Sequence, residues 1–380
     1  MARKIVFSVL ALVIIIPFLM WFIWFVTPNT ILVAVIVDKT VLNSESQGHS
    51  SFHWVLNQEK FTKTSTKPYR IAEDYYGFFP LENEKFQLKG LERFTSVQLK
   101  QLSKDADLVY FTDTYGIYNS AWFSNELPGL LYGGLSLKDI EFLKLMKEEQ
   151  KLIIAEFNTI GSPTTSNNRK VFEEMFKMKW TGWTAKYFEI LDPEVNKELP
   201  SWLIDNYKKT HNNQWPFTKP GIAFVNENEQ VVILEEGTHL IDPLPYIVTG
   251  EFGTEKFSLP EKIKYPFWFD VIISDQTVNE TISSFEINTT SKGLLEMKKF
   301  GIPTKFPAVT RNKNKDYSFY YFSGDFSNNT VTLNSSYFKG IGFFQGLFYD
   351  ERIPMERESF FWKFYRPLLS KILNEYSDSL

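Results

Sequence analysis

The seven residues that decide the fold are apolar and mostly β-branched: Ile31-Leu32-Val33-Ala34-Val35-Ile36-Val37. A continuous run of this kind is typical of a strand buried on both faces, as in a parallel sheet covered by helices. Similar runs follow at residues 106–111 and 151–155, with a helical pattern between them at 137–149. Strands that alternate with helices of about a dozen residues predict parallel crossovers and a doubly wound α/β sheet.

Beyond residue 180 the helical crossovers stop, and a hairpin pattern at 221–234 opens a β-rich stretch. A strand pattern at 318–322 and a terminal helix near 358–376 then complete the α/β unit. We expect a mostly parallel sheet with a β-rich insertion, and the alternative is two domains in tandem. The predicted divisions are residues 1–29 (cytoplasmic tip and anchor), 30–179 (first part of the α/β domain), 180–300 (insertion) and 301–380 (last strands and terminal helix).

Residues 5–26 contain no charged side chain. At about 1.5 Å per residue they would cross the roughly 30 Å of a bilayer core as one N-terminal transmembrane helix. A cleaved signal peptide is the alternative, but the segment ends in bulky aromatic residues. Arg3 and Lys4 precede the segment and no basic residue follows before Lys39. The expected localisation is therefore a single-pass membrane protein with a cytoplasmic N-terminus and an extracytoplasmic bulk.

Composition excludes several classes of function. With 41 Lys and Arg against 45 Asp and Glu, the net charge is -4, which argues against a nucleic-acid partner. The absence of Cys excludes disulfides, thiolate nucleophiles and zinc–cysteine sites. No P-loop, G-x-S-x-G or H-E-x-x-H motif is present. The partners we expect are the membrane, through residues 5–26, and a glycan or an envelope protein.

Acidic residues follow each of the predicted strands of the α/β unit: Asp38, Asp113, Glu156 and Asp325. Ligands of open α/β sheets bind outside the carboxyl ends of the strands, so these side chains predict an acidic crevice. Such a crevice can bind a cation, accept hydrogen bonds from sugar hydroxyls, or divide into a general acid and a general base. We take Asp113 and Glu156 as catalytic candidates and Asp38 and Asp325 as binding candidates. The alternative is that each acid caps a turn or a helix.

Aromatic side chains are concentrated in the loop at 115–134, after the second of these strands. Tyr115, Tyr118 and Trp122 lie in this loop, and Asn158 lies in the loop after the third strand. Aromatic faces beside carboxylates suit carbohydrate, because the C–H faces of sugars stack while their hydroxyls need acceptors. The alternative is that these rings belong to the core.

Three histidines are further candidates. His49 and His53 form an H-x-x-x-H pattern, which on a helix would place both rings on one face, with Asp38 as a third metal ligand. His239 follows a predicted strand and is a candidate binding residue or base. No cofactor is predicted, and a divalent metal at the histidine pair is the alternative.

The order of strands 31–37, 108–111 and 152–155, together with the closing segment Tyr320-Tyr321-Phe322-Ser323-Gly324-Asp325 and a terminal helix, resembles the class I glutamine-amidotransferase-like superfamily. In its amidotransferases, the turn after the central strand carries a nucleophilic cysteine. The corresponding stretch is Ala155-Glu156-Phe157-Asn158. Because the chain has no cysteine, the resemblance implies a relative that does not hydrolyse glutamine by thiol chemistry, and no catalytic residue is carried over.

The resulting hypothesis is a membrane-anchored α/β domain that binds a cell-surface ligand, such as a glycan, in the acidic and aromatic crevice. The alternatives are a glycosidase-like hydrolase that depends on carboxylates and a non-catalytic scaffold of an envelope complex. Whether the protein is an enzyme stays open. If the four strands are parallel neighbours, their acids must emerge at one edge, and because of repulsion at least one should have a raised pKa or a basic or metal partner.

Overall fold

The computed structural model describes residues 2–43, 47–123, 129–313 and 316–380, and side chains from residue 13 onward. Residues 124–128 of the aromatic loop therefore lie outside the described residues. The helices are α1 Ala2–Val26, α2 Ser50–Gln58, α3 Ser96–Asp105, α4 Asn119–Trp122, α5 Leu137–Glu148, α6 Ser166–Phe176, α7 Ser201–Thr210, α8 Glu251–Phe257, α9 Ser291–Lys299, α10 Glu358–Phe360 and α11 Arg366–Ser377. Shorter turns of 3₁₀-helix lie at Leu91–Arg93, Leu333–Tyr337 and Ile341–Leu347, and Phe361–Tyr365 is π-helical.

The strands are β1 Thr30–Ile31, β2 Ala34–Asp38, β3 Phe61–Thr62, β4 Tyr76–Pro80, β5 Phe86–Leu88, β6 Leu108–Asp113, β7 Ile117–Tyr118, β8 Leu130–Tyr132, β9 Leu152–Glu156, β10 Met178–Phe188, β11 Gly221–Asn226, β12 Val231–Glu235, β13 Tyr246–Thr249, β14 Lys262–Lys264, β15 Phe269–Ser274, β16 Asn279–Glu286, β17 Lys305–Asn312 and β18 Ser318–Phe322. Ten of them form one large sheet in the order β14-β13-β16-β17-β18-β9-β6-β2-β4-β5.

The large sheet is mixed, which corrects the expectation of a doubly wound, mostly parallel sheet. Strands β18, β9, β6, β2 and β4 are parallel neighbours. Every other pairing in the sheet, at both of its sides, is antiparallel. Antiparallel neighbours need only a short connection, whereas parallel neighbours need a crossover. Strands β13, β14, β16 and β17 therefore extend the sheet through antiparallel pairings, without the parallel crossovers from which its centre was predicted.

Helices cover both faces of the parallel centre, as the uninterrupted apolar strands require. Val35, Val109 and Ile153 share a buried cluster with side chains of α3, α5 and α6. Their neighbours in sequence, including Ile36 and Ile154, pack on the opposite face with α2 and α11. The starts of α3 and α5 are fixed by capping boxes, in which a Thr or Ser side chain and the third helical residue satisfy each other's backbone amides.

A second sheet of four antiparallel strands has the order β12-β11-β10-β15. Its outer face packs against α7 through Leu203, Ala223 and Ile233. Its inner face, through Phe224 and Phe269, joins the core that the large sheet shares with α2 and α11. The stretch expected as an insertion, residues 180–300, thus contributes to both sheets, and the small sheet stands beside the carboxyl edge of the large one.

The N-terminal helix lies with its C-terminal end against the domain. Trp24 donates from Nε1 to the carbonyl of Asn57 at 2.9 Å, and its ring packs edge-on against Tyr337. No helix in the described part of the chain is long and apolar enough to span a membrane. The predicted transmembrane anchor and single-pass localisation are therefore wrong.

Candidate functional site

The four strand-end acids converge on one edge of the large sheet. Their strands are adjacent in the order β18, β9, β6, β2, and all four run in the same direction. Their charges influence one another: Asp325 acts on Asp113 and on Glu156, and Asp38 acts on Asp113 and Asp325. The structure therefore brings together the acids that follow the strands in sequence.

The strand pleat sends these acids in different directions. Asp38 and Glu156 come two residues after Ile36 and Ile154, which face α2 and α11. Because side chains alternate along a strand, Asp38 and Glu156 point to that same covered face. Asp113 lies opposite Asp38 at a register shift between β2 and β6, where an extra residue interrupts this alternation, and its side chain lines the cleft described below. A one-residue shift in register thus separates Asp38, which is covered, from Asp113, which lines the cleft.

A cleft of about 940 Å³ opens between this edge, the small sheet and α7. The aromatic side chains that line it include Tyr115, Tyr118, Trp180, Trp202, Phe267 and Trp268. Its acidic side chains are Asp113, Asp205, Glu227, Glu229 and Asp325, and Asn158 and Asn328 add amides. Of the four strand-end acids, only Asp113 and Asp325 line the cleft.

Asp113 and Asp325 both bind their protons more tightly than free carboxyls. Burial and the charge of Asp325 raise the pKa of Asp113 well above its usual value, against hydrogen bonds from the Tyr115 amide and the Thr40 side chain. Burial raises the pKa of Asp325 to about 7, although the charge of Arg357 and a 3.0 Å hydrogen bond from Asn328 lower it. The cleft therefore holds two carboxyls with raised pKa values, of which that of Asp325 lies near neutral pH.

Glu156 is fully buried behind the cleft. Tyr110 donates to its Oε2 at 2.6 Å, and the amide and hydroxyl of Ser327 contact its Oε1. The Ser327 hydroxyl has one proton and also lies 2.7 Å from the carbonyl of Gly48, which can only accept. A protonated Glu156 satisfies this arrangement by donating to Ser327. Burial and the charge of Asp325 raise the pKa of Glu156 well above its usual value, which agrees with a neutral acid.

Asp38 is also fully buried, and it pairs with His49. Its Oδ2 lies 2.6 Å from Nδ1 of His49, whose Nε2 lies 3.1 Å from the carbonyl of Ile71. Both partners are acceptors, so both ring nitrogens can donate only if the ring is protonated. With the ring protonated, the two side chains form a buried ion pair.

The predicted metal ligands His49 and His53 are neighbours, with ring centroids 5.1 Å apart. Both nitrogens of His49 are already engaged, and burial together with the charge of His49 holds the pKa of His53 well below its usual value. Within the described residues, no group of three or more His, Asp or Glu side chains is arranged to hold a metal ion. The histidine pair thus forms part of the support of Asp38.

The other predicted binding residues divide between the cleft and the rest of the surface. Tyr115, Tyr118 and Asn158 line the cleft. Trp122 packs on Phe78 and donates to the carbonyl of Glu84 at 2.9 Å, outside the cleft. The Nδ1 of His239 accepts the amide of Glu235 at 3.2 Å, and the backbone of His239 packs on α9, also away from the cleft.

Several residues at the site gave no signal in the sequence. Asp270, in β15, is fully buried and accepts from the Asn158 amide at 2.9 Å and from the Thr184 hydroxyl at 2.8 Å, and burial raises its pKa to about 6. Trp202 and Trp268 come from parts of the chain that show no strand-end pattern. Their positions depend on tertiary packing, which single-sequence patterns do not report.

Lys39, the residue after Asp38, is fully buried beneath the edge. It contacts Glu92, Asp139 at 2.5 Å and the carbonyl of Gly134 at 3.0 Å. Burial lowers the pKa of Lys39, but the charges of Asp139 and Glu92 outweigh it and the pKa is raised. This ion cluster ties β2 to α5 directly below the acids. In the sequence, the only indication of this cluster is a lysine at the end of a predicted apolar strand.

Solved structures align with the chain at low similarity. One is a ThuA-like protein from Bacteroides uniformis ATCC 8492 (9% identity, TM-score 0.37, covering 82% of this chain and 89% of the other). Another is the carbohydrate deacetylase Agd3 (9%, 0.33, covering 78% and 29%). A third is a β-galactosidase from Bacillus circulans sp. alkalophilus (12%, 0.26, covering 59% and 22%). With TM-scores this low, the likenesses carry no argument about activity.

No protein family model matches the chain, and no curated protein does. The resemblance to the class I glutamine-amidotransferase-like superfamily is not tested by these comparisons and stays a prediction.

Proposed function

We propose that the cleft at the carboxyl edge binds a carbohydrate. The observation that supports the proposal is the composition of the cleft walls, which place aromatic rings beside carboxyl and amide groups in about 940 Å³. Sugar rings have apolar C–H faces and a rim of hydroxyls, so they need both kinds of partner.

The rings are placed to serve as stacking surfaces. Trp268 lies over Phe157 with nearly parallel planes and a centroid distance of 6.4 Å, and it is only half-buried. Tyr115 is 42% exposed, with the ring of Tyr118 5.1 Å away. The carboxyls of Asp113, which is half-buried, and Asp325, which is 6% exposed, line the cleft as partners for hydroxyls. A sugar ring against Trp268 would place its hydroxyls toward the acids.

Calorimetry of the full chain against a panel of soluble oligosaccharides tests the proposal. We expect at least one saccharide to bind, and Trp268→Ala to weaken its binding about tenfold, since stacking is worth roughly 1 kcal/mol or more. Trp122→Ala is the matched control, because its ring packs outside the cleft. The proposal is wrong if no saccharide binds at millimolar concentration, or if both variants bind equally well.

A second candidate function is hydrolysis of a glycosidic bond by Asp113 and Asp325. The observation that favours it is the raised pKa of both open carboxyls, with that of Asp325 at about 7. One protonated carboxyl would give its proton to the leaving oxygen as the C–O bond breaks, and the other, ionised, would take a proton from the attacking water. Glu156, predicted as catalytic, does not line this cleft.

Aryl glycosides of several sugars, assayed with the wild type, Asp113→Asn and Asp325→Asn, test the hydrolytic candidate. Loss of turnover in both variants with retained binding would support it. Binding without turnover in the wild type, for every substrate that binds, would leave the protein as a binding module.

A further inference from the structure

The walls of the cleft carry an excess of negative charge. Five acids line it, at positions 113, 205, 227, 229 and 325, and Lys209 is the one basic side chain among the described residues that line it. Glu227 is neutralised by Arg169 at 2.6 Å. Asp205 and Glu229 form no ion pair with any described residue, so their charge faces the open cleft.

Other charged groups approach the site from behind its walls. The guanidinium of Arg357 stacks on Phe267 and donates to the carbonyl of Asn328, and its charge acts on Asp325. The ammonium of Lys186 lies 5.7 Å from the ring centroid of Trp268. Neither basic residue lines the cleft. Arg357 therefore offsets the charge of Asp325 only in part, and the basic residues other than Lys209 lie behind the lining of the cleft.

The negative charges of Asp113 and Asp325 are only partly balanced by positive charges of the protein. Burial raises the pKa of each, as does the charge of Asp325 on Asp113 and that of Asp38 on both, so the protein stabilises their ionised forms less than water does. Asp38, the other acid that acts on both, is paired with His49 and offers them no positive charge. A ligand with its own cation would supply the missing partner, whereas a neutral ligand would not.

We propose that the carbohydrate bound here is cationic, with a free amino group on a pyranose ring, and that its ammonium group lies between Asp113 and Asp325. This inference rests on the proposed function and specifies its ligand class. The aromatic walls would take the ring faces, and the acids would take the ammonium group. An anionic sugar would meet repulsion from the same five acids.

A matched pair of oligosaccharides provides the test. The full chain is titrated calorimetrically with a glucosamine tetramer and with the same tetramer fully N-acetylated, at low and at high salt. We expect the amine to bind at least tenfold more tightly at low salt, with the advantage shrinking as salt is added. Because the cation favours ionised carboxyls, binding should release protons at neutral pH, measured as a buffer-dependent heat.

Single substitutions show which acids produce the preference for the amine tetramer. Asp325→Asn should remove most of the difference between the two tetramers, and the exposed Asp205→Asn should reduce it about twofold without disturbing the fold. Asp105→Asn, at the end of α3 and outside the cleft, makes the same change of charge and should leave the difference unchanged. If Asp325→Asn does not fold, Asp205→Asn still carries the comparison.

The outcomes separate the two proposals. Equal or tighter binding of the N-acetylated tetramer would overturn the cationic ligand class and leave carbohydrate binding intact. Failure of every saccharide, amine or neutral, would overturn both. Binding of the linear polyamine spermine as tight as that of the amino sugar would also overturn the inference, because the aromatic walls would then play no part.

Discussion

The carboxyl edge holds two kinds of acid, and the contrast between them explains the site. Asp113 and Asp325 line the cleft, while Asp38 and Glu156 are fully buried on the face that α2 and α11 cover. All four follow strands of the same parallel set. The position of an acid at a strand end therefore does not determine whether it meets a ligand. Asp38 and Glu156 keep the covered face of their strands, whereas Asp113 follows a register shift and Asp325 lies in the loop after β18.

The two buried acids avoid an uncompensated charge in different ways. Asp38 keeps its charge and pairs with His49. Glu156 keeps its proton, because it is surrounded by Tyr110, Ser327 and the charge of Asp325 with no basic partner. Each arrangement leaves a different signature on mutation, and these signatures can be measured as stability.

The largest effect is expected for His49→Leu. The substitution removes the only described cation that pairs with Asp38 and leaves a buried carboxylate, which should cost about 3 to 5 kcal/mol of unfolding free energy. His53→Leu is the matched control one helical turn on. His53 is buried with its Nε2 unpartnered and a lowered pKa, so its replacement should change stability by less than about 1 kcal/mol. Equal losses in urea denaturation would contradict the ion pair.

Glu156 should show a different pattern. Glu156→Ala removes the acceptor of Tyr110 and the partner of Ser327 and leaves a cavity, at a cost of about 3 kcal/mol. Glu156→Gln keeps the shape of a neutral acid and a donor for Ser327, but its NH2 cannot accept the Ser327 amide, so it should cost about 1 kcal/mol and less than the Ala variant. A loss in the Gln variant as large as that in the Ala variant would show that Glu156 is ionised and that its proton assignment is wrong.

The parallel centre of the sheet could be predicted because its strands carry the signal themselves. The predicted strand at 318–322 matches β18 residue for residue, and the helix at 137–149 differs from α5 by one residue. Runs that are apolar on both faces have few other places in a fold. The antiparallel sides could not be predicted in the same way, because their pairing depends on partners distant in the chain.

The candidate site shows the same limit. The sequence indicated which acids lie at the edge, because parallel strands share one carboxyl side. It did not indicate which of them are open, since this depends on the register shift between Val37 and Asp38 and on His49 and Ser327 packing behind. Trp268 and Asp205 reach the cleft only through the packing of β15 and α7. The hydrophobicity of residues 5–26 likewise does not indicate what the N-terminal helix contacts.

The open acids should make stability depend on pH. The pKa of Asp325 is raised to about 7 in the folded state, against about 3.9 unfolded. The folded state therefore holds the proton more tightly, and stability is full below pH 4 and declines as pH rises to about 7. Between pH 5 and pH 8 the loss from this group should be roughly 2 kcal/mol. The raised pKa values of Asp113 and Asp270 act in the same direction.

Asp325→Asn should flatten this dependence, while Asp105→Asn should not. Urea denaturation at pH 5, 6, 7 and 8 gives the slopes. Because the lowered pKa of His53 acts in the opposite direction, the test is the difference between the two slopes, and an Asp325→Asn slope equal to that of the wild type would contradict the raised pKa of Asp325.

The smallest effect on stability is expected for Asn158, whose side chain lines the cleft. Its backbone has a φ of 60°, a left-handed conformation that glycine adopts without strain and alanine does not. Asn158→Gly should therefore keep stability within about 0.5 kcal/mol, and Asn158→Ala should cost about 1 kcal/mol. Both variants lose the same side-chain amide, so the affinity for the saccharide should fall about fivefold in each, which corresponds to the loss of one hydrogen bond. If the two variants lose the same binding affinity but differ in stability, the Asn158 side chain contributes to ligand binding rather than to folding. If the loss of binding affinity instead follows the loss of stability, the role of Asn158 is structural.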